Sequence, residues 1–340
     1  MRVLVTGAQG YIGTELVKKL IKIDGWKIIG TDVGYFKNCT VSKEYEDPIN
    51  IINQDIRNFD YDLLNEIDCV VHLAAICNDP LGDLSPNITR EINTLATTKL
   101  AQEAKSRGVT RFIFFSSCIM YGANSTSLVD ENSVLDPKTA YAISKVDAEK
   151  ELIKLSDNNF AVIFVRNGTI YGYSERMRFD TVLNSFVGSL LKKNIVEVLG
   201  DGQPWRPICH LDDVCNSVIG YIKADKHKIK SQAFNNGDDI LNYRIGDLAA
   251  KVSNHLNLTY EIKGKKDADN RTYKASFGKI KKILPEIKFK KMPEESAKEM
   301  YLKFKPIDIN IIDNKKFLRL KWIEKLIKEN TVDENLYFNK

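Results

Sequence analysis

The chain has 340 residues, of which 43% are hydrophobic and 28% charged, and its formal net charge is +5. This is the composition of a soluble globular protein with material for one large or two moderate cores. No apolar run approaches the roughly 20 residues of a membrane-spanning helix, and the six cysteines (39, 69, 77, 118, 209 and 215) form no CxxC pair or metal-ligand spacing.

Met1 runs directly into RVLVTG, which leaves no room for a signal peptide and, with reduced thiols, implies a cytoplasmic protein. RVLVTG, WKIIGTD, CVVHLAA and RFIFFSS are short apolar runs of the kind buried on both faces of a parallel sheet. Between them lie helical patterns: YIGTELVKKLIKI, NTLATTKLAQEAKSRG (a helix over 93–107 stopped by Gly108) and YAISKVDAEKELIKLS. AVIFVRNGTIYG adds a strand near 161–166. The alternation predicts an α/β fold with a doubly wound parallel sheet over 1–170.

Beyond Tyr171 the signals shorten to a helix near 180–193, a strand at 195–199 and a helix around 244–257. They predict a smaller mixed α/β substrate-binding domain over 171–330, with 211–236 returning to the first domain. Residues 261–340 hold 21 Lys/Arg against 13 Asp/Glu. The lysines alternate with apolar residues, as in KKILPEIKFKK, which suits solvated faces of amphipathic elements rather than a nucleic-acid surface. The terminal VDENLYFNK resembles a protease-tag sequence and stays outside the fold expectation.

TGAQGYIG sets Gly7, Gly10 and Gly13 where the first strand turns into the first helix. In that context Gly7 permits a tight turn, Gly10 lets backbone N–H groups approach a pyrophosphate, and Gly13 lets helix and strand pack closely. Asp32 closes the second strand, where a carboxylate accepts hydrogen bonds from an adenosine ribose and repels a 2′-phosphate, favouring NAD over NADP. The first domain is therefore expected to be a Rossmann-type NAD-binding fold. Tyr141 and Lys145 stand four residues apart, on one face of a helix. An ammonium near a phenol favours phenolate and suits the phenol to acid/base work.

These motifs, with DI at 55–56, HLAA at 72–75, Asn93, SSCIMYG at 116–122, RNGTIYG, GDGQPWRPICHLDDV and DNRTY, resemble the extended short-chain dehydrogenase/reductase family. The likeness is to its nucleotide-sugar epimerases, dehydratases and reductases, UDP-glucose 4-epimerase among them, and covers about residues 1–290. The resemblance implies that Gly7, Gly10, Tyr11, Ile12, Gly13, Asp32, Asp55, Ile56, Leu73, Ala74, Ala75 and Asn93 bind NAD together with Tyr141 and Lys145. It implies Ser117, Tyr141 and Lys145 as the catalytic group, and Ser117, Cys118, Thr169, Asn184, Arg206 and Arg271 as residues toward the nucleotide sugar. Arg206 and Arg271 would meet its diphosphate, as a planar guanidinium fork can. The helices at 88–107 and 141–156 match those of a dimeric four-helix interface, implying a homodimer.

The family's 4,6-dehydratases carry an Asp-Glu pair after the active-site hydroxyl; Cys118 and Ile119 stand there instead, which argues against dehydration. Cys118 is also similar to the thiol of the reductase/epimerases that make GDP-fucose, although the motif then ends in YG as in the 4-epimerases. The frequent Asn after VR-x-x is Thr169 here, with Asn167 two positions earlier. The expectation is an NAD-dependent nucleoside-diphosphate-sugar 4-epimerase working through a 4-keto sugar. A net dehydrogenase or 4-ketoreductase, and a non-catalytic NAD-binding regulator, are the alternatives.

Overall fold

The computed structural model describes residues 1–122, 128–264, 272–307 and 315–339. Seven parallel strands form the main sheet: β1 (Arg2–Thr6), β2 (Lys27–Asp32), β3 (Ile51–Asn53), β4 (Cys69–His72), β5 (Arg111–Ser117), β6 (Ala161–Asn167) and β7 (Gln232–Asn236). Their order is β7-β6-β5-β4-β1-β2-β3, so the winding reverses between β1 and β4. Ligands of such sheets sit beyond the carboxyl ends of the strands at that reversal.

Alternation along each strand feeds two cores. Val3, Val5, Val71, Ile113, Phe115, Ile163 and Val165 face one side, where helix α1 (Tyr11–Leu20) packs. Leu4, Val70, Phe112, Phe114, Val162 and Phe164 face the other, covered by α2 (Thr97–Ser106) and α3 (Ala140–Ile153). A π-helical stretch, Glu91–Ala96, leads into α2. Strand β3 had no counterpart among the sequence expectations, because three residues, IIN, are too short to show alternation.

After β6 the chain builds small sheets: Trp205–His210 pairs with Thr169–Tyr171 in parallel and with Asn242–Arg244 in antiparallel, and Ile195–Val198 pairs with Thr259–Ile262. Helices α4 (Val182–Lys193), α5 (Leu211–Lys223), α6 (Ile245–His255) and α7 (Pro293–Phe304) surround them, with α5 lying against α1. The last helix, α8 (Arg319–Lys328), departs from the expected division at residue 330. Its Ile323 and Leu326, with Val332 and Leu336 of the tail, join the core of Leu4 and Val70. The tag-like tail is thus part of the fold, held because its apolar residues find a face on the first domain.

Candidate active site

The sequence TGAQGYIG ends β1 in a turn that only glycine fits. Gly7 has φ +71°, and a Cβ there would lie 2.7 Å from the Ala74 backbone N. A Cβ on Gly13 would fall 2.1 Å from the Gly7 carbonyl O, so α1 packs directly over the turn. No side chain caps the first turn of α1, leaving its N–H groups open at the mouth of a cleft.

That cleft is lined by Gly7, Gly10, Tyr11, Ile12 and Gly13, by Asp32, by Asp55 and Ile56, and by Leu73, Ala74 and Ala75. Asp32 accepts the Gln9 N–H (2.9 Å) and the Gly34 N–H (2.8 Å). Burial nevertheless raises its pKa. Asp55 caps the turn that follows it and is clamped by Arg57 (Nη2–Oδ2 2.6 Å), so Ile56 supplies the apolar wall beside it. Asn93, expected at the cofactor, stands behind the cleft wall. It is fully buried, its Oδ1 accepts the Ile76 N–H, and its Nδ2 donates to Ile76 O and Ser144 Oγ. It braces the segment after β4 rather than lining the cleft. A narrow, glycine-floored groove with an open helix N-terminus and a carboxylate at the end of β2 fits a dinucleotide.

A second cleft shares Tyr11, Ile12, Leu73, Ala75, Cys77 and Arg178 with the first and holds the polar groups. Ser117 ends β5, and its Oγ accepts the Ile119 N–H to start a single helical turn. Tyr141 and Lys145 come from the start of α3, whose Thr139 cap accepts the Ala142 N–H. Gly82 lets another segment approach, since a Cβ there would meet Tyr141 Cβ at 3.0 Å. Lys145 Nζ donates to Phe115 O (2.8 Å) and lies 5.8 Å from the Tyr141 ring centroid. Its burial lowers its pKa to about 8.

The phenol departs from expectation. Burial, then Cys77 and Asp79, raise the Tyr141 pKa, outweighing the Arg178 guanidinium and the hydrogen bond with Ser117 that lower it. Desolvation of the phenolate dominates here.

Thr169, Asn167 and Arg206 line the same cleft, with Arg206 Nη1 donating to Trp205 O and its guanidinium 5.9 Å from the Tyr273 ring. Arg271 lies outside the described residues. Two other expected substrate contacts point elsewhere. Cys118 is fully buried; its Sγ donates to Arg166 O (3.2 Å), and burial pushes its pKa up. The chain turns after Ser117 and carries the thiol into the core. Asn184 is also fully buried, accepting the Gly172 N–H and donating to Arg178 O and Tyr11 OH, which commits its amide to holding α4.

The sequence reading overlooked Cys77, Asn78, Asp79, Arg178, Asp180 and Arg319 as lining residues. Asn78, at φ +73°, turns the CNDP segment back toward Tyr141. That N-D-P run was a legible turn signal, whereas Arg178 and Arg319 carry no local pattern at all. Among the described residues no group of three or more His, Cys, Asp or Glu could hold a metal ion, and no helix is long and apolar enough to cross a membrane.

Residues 3–237 match the model of the NAD-dependent epimerase/dehydratase family. A UDP-glucose 4-epimerase of Mycolicibacterium smegmatis is 30% identical over 251 residues, covering 71% of this chain and 78% of the relative. A dTDP-glucose 4,6-dehydratase of Streptomyces niveus is 27% identical over 240 residues, covering 64% and 68% respectively. Among solved structures, a UDP-glucuronic acid 4-epimerase from Bacillus cereus, in complex with UDP-glucuronic acid and NAD, superposes with a TM-score of 0.76 at 24% identity. That match covers 89% of this chain and 99% of the other, and it establishes the shared fold.

Proposed function

The chain belongs to the NAD-dependent epimerase/dehydratase family, and we propose that it is a nucleoside-diphosphate-sugar 4-epimerase. The observation that carries this reading is the meeting of Ser117, Tyr141 and Lys145 in a cleft that shares a wall with the dinucleotide groove. NAD supplies the hydride acceptor and donor when bound. Gly7, Gly10, Gly13 and α1 hold it, with Asp32 toward the adenosine ribose.

Tyr141 takes the proton from the sugar C4 hydroxyl at its Oη and returns it after the sugar has turned. Ser117 Oγ holds the same oxygen and polarises the ketone. Arg178 and the Ser117 hydrogen bond oppose the burial that raises the Tyr141 pKa, and Lys145, charged below its pKa of about 8, stands 5.8 Å from the Tyr141 ring. Arg206 faces the substrate diphosphate, and Thr169 and Asn167 line the sugar's side of the cleft. The absence of a carboxylate at 118 and 119 argues against dehydration. The buried thiol of Cys118 has no path to a sugar carbon.

We further read the protein as a cytoplasmic homodimer. Its six cysteines are free, and Leu95, Ile143 and Ile153 are exposed on the α2 and α3 layer, where an apolar surface suits a helix-to-helix interface.

The test is to incubate the purified protein with UDP-glucose and UDP-glucuronic acid, without added coenzyme, and follow the C4 configuration by proton NMR. Interconversion is expected, and Tyr141→Phe should lower it by about 10²–10⁴-fold with bound NAD retained. A strict need for added NAD(H) would replace epimerisation by net oxidation or reduction, and full activity in Tyr141→Phe would remove Tyr141 from the chemistry.

A further inference from the structure

Two buried arginines line the dinucleotide groove, and of these only Arg178 has its guanidinium bonded to a carboxylate among the described residues. Arg319, the first residue of α8, is 2% exposed. Its Nη2 donates to Arg176 O (2.9 Å), and its guanidinium carbon lies 4.3 Å from the centroid of the Phe36 ring. Its Nη1 has no partner, and among the described residues it forms no ion pair. Arg178, 8% exposed, bonds Asp180 through Nε and Cys77 Sγ through Nη1, while its Nη2 is unpartnered. The other oxygen of Asp180 accepts the backbone N–H of Arg319 (3.2 Å) and Asn78 Nδ2 (3.1 Å). Asp180 therefore bonds one guanidinium, that of Arg178, and meets Arg319 only at its backbone N–H.

Both arginines line the groove that holds Gly7, Gly10 and Asp32, and Arg178 also lines the neighbouring substrate cleft. A buried charge without a counter-charge is costly, and a buried donor without an acceptor adds to that cost. An anion with several oxygens removes both penalties, and guanidinium N–H groups match phosphate oxygens in distance and direction. The helix that brings Arg319 is fastened from outside the groove. The Tyr35 hydroxyl donates to Leu336 O, Phe338 stacks on Tyr35 at 5.5 Å, and the Arg57 guanidinium lies 3.6 Å from the Tyr337 ring centroid. Tyr35 itself lines the groove.

We propose that Arg319 and Arg178 form an anion clamp for the cofactor's diphosphate, which makes the C-terminal helix and tail part of the cofactor site. NAD is then a resident group that leaves slowly, as an epimerase that returns its own hydride requires. This rests on the NAD-dependent reading above and adds to it a binding element from the far end of the chain.

Binding of ADP and of adenosine to nucleotide-free protein, measured by calorimetry, tests the clamp. Arg319→Gln should weaken ADP by about 10–100-fold, the worth of a charge-assisted bond, and leave adenosine unchanged. Arg319→Lys, which keeps the charge and loses the fork, should fall between. After reloading with NAD and desalting, the Gln variant should lose its cofactor faster by a similar factor. Equal losses for ADP and adenosine would make Arg319 a packing residue and overturn the clamp, as would unchanged ADP affinity. If Arg319→Gln does not fold, Arg319→Lys and Arg178→Lys carry the same comparison. Failure of the unsubstituted protein to bind ADP or NAD would instead sink the NAD-dependent reading itself.

Discussion

Two buried guanidinium sites lie near the cluster of Ser117, Tyr141 and Lys145, and they are built to different standards. Behind α3, Arg166 of β6 bonds both oxygens of Glu149 (Nε 3.1 Å, Nη2 2.6 Å) and gives Nη1 to the Tyr121 hydroxyl and Glu131 O. Every nitrogen is used, and Glu149 continues the Tyr141–Lys145 stripe by one further turn, so the pair anchors α3 to the sheet. Beside the dinucleotide groove, the Arg178 guanidinium bonds Asp180, Arg319 reaches that carboxylate only through its backbone N–H, and each guanidinium keeps a buried nitrogen unbonded. Full satisfaction marks a structural lock, whereas a shortfall in acceptors around two charges marks a place where a ligand completes the network.

The contrast breaks most easily at the lock. Glu149→Ala leaves Arg166 buried and unpaired and should cost about 3–5 kcal/mol of stability, read as a lower urea midpoint that saturating ADP does not restore. Asp180→Asn is the matching change at the groove. It should destabilise the nucleotide-free protein by about 1–3 kcal/mol, and the rise in melting temperature on adding ADP should exceed that of the unsubstituted protein. An equal ADP response in both variants would erase the distinction between lock and clamp.

The smallest effect concerns a third polar site that is satisfied while neutral. His72 bridges the Thr6 and Thr97 hydroxyls, each at 2.8 Å, and burial, then Lys145, push its pKa down to about 3 from 6.5. Between those values the unfolded chain binds a proton that the folded chain does not. Stability is therefore complete above about pH 6.5 and falls as pH drops toward 3, by at most about 1.4 kcal/mol per pH unit. Denaturant melts at pH 7 and 5.5 should show that loss, and His72→Gln should flatten it.

The local signals in the sequence had local causes. Gly7 and Gly13 are needed because neighbouring backbone leaves no room for a Cβ, and Tyr141 and Lys145 share a face because a helix has 3.6 residues per turn. The apolar runs announced a sheet buried on both faces, since each strand feeds two cores. Residue types alone did not say which way a side chain turns at the end of a strand. In SSCIMYG, Ser117 faces the cleft and Cys118 the core because the chain enters a helical turn between them. Asn93 and Asn184 look like ligand groups in sequence, but their amides are consumed by backbone atoms of segments brought beside them by folding. Arg319 lies 141 positions from Arg178 in the sequence, with no motif around it. By itself the sequence determined five strands of the sheet, the glycine turn and the shared helix face of Tyr141 and Lys145, all set by interactions within a few residues or by strand periodicity. Only the tertiary structure decided which polar groups are satisfied, because that depends on long-range packing of α8 and the tail against the first domain.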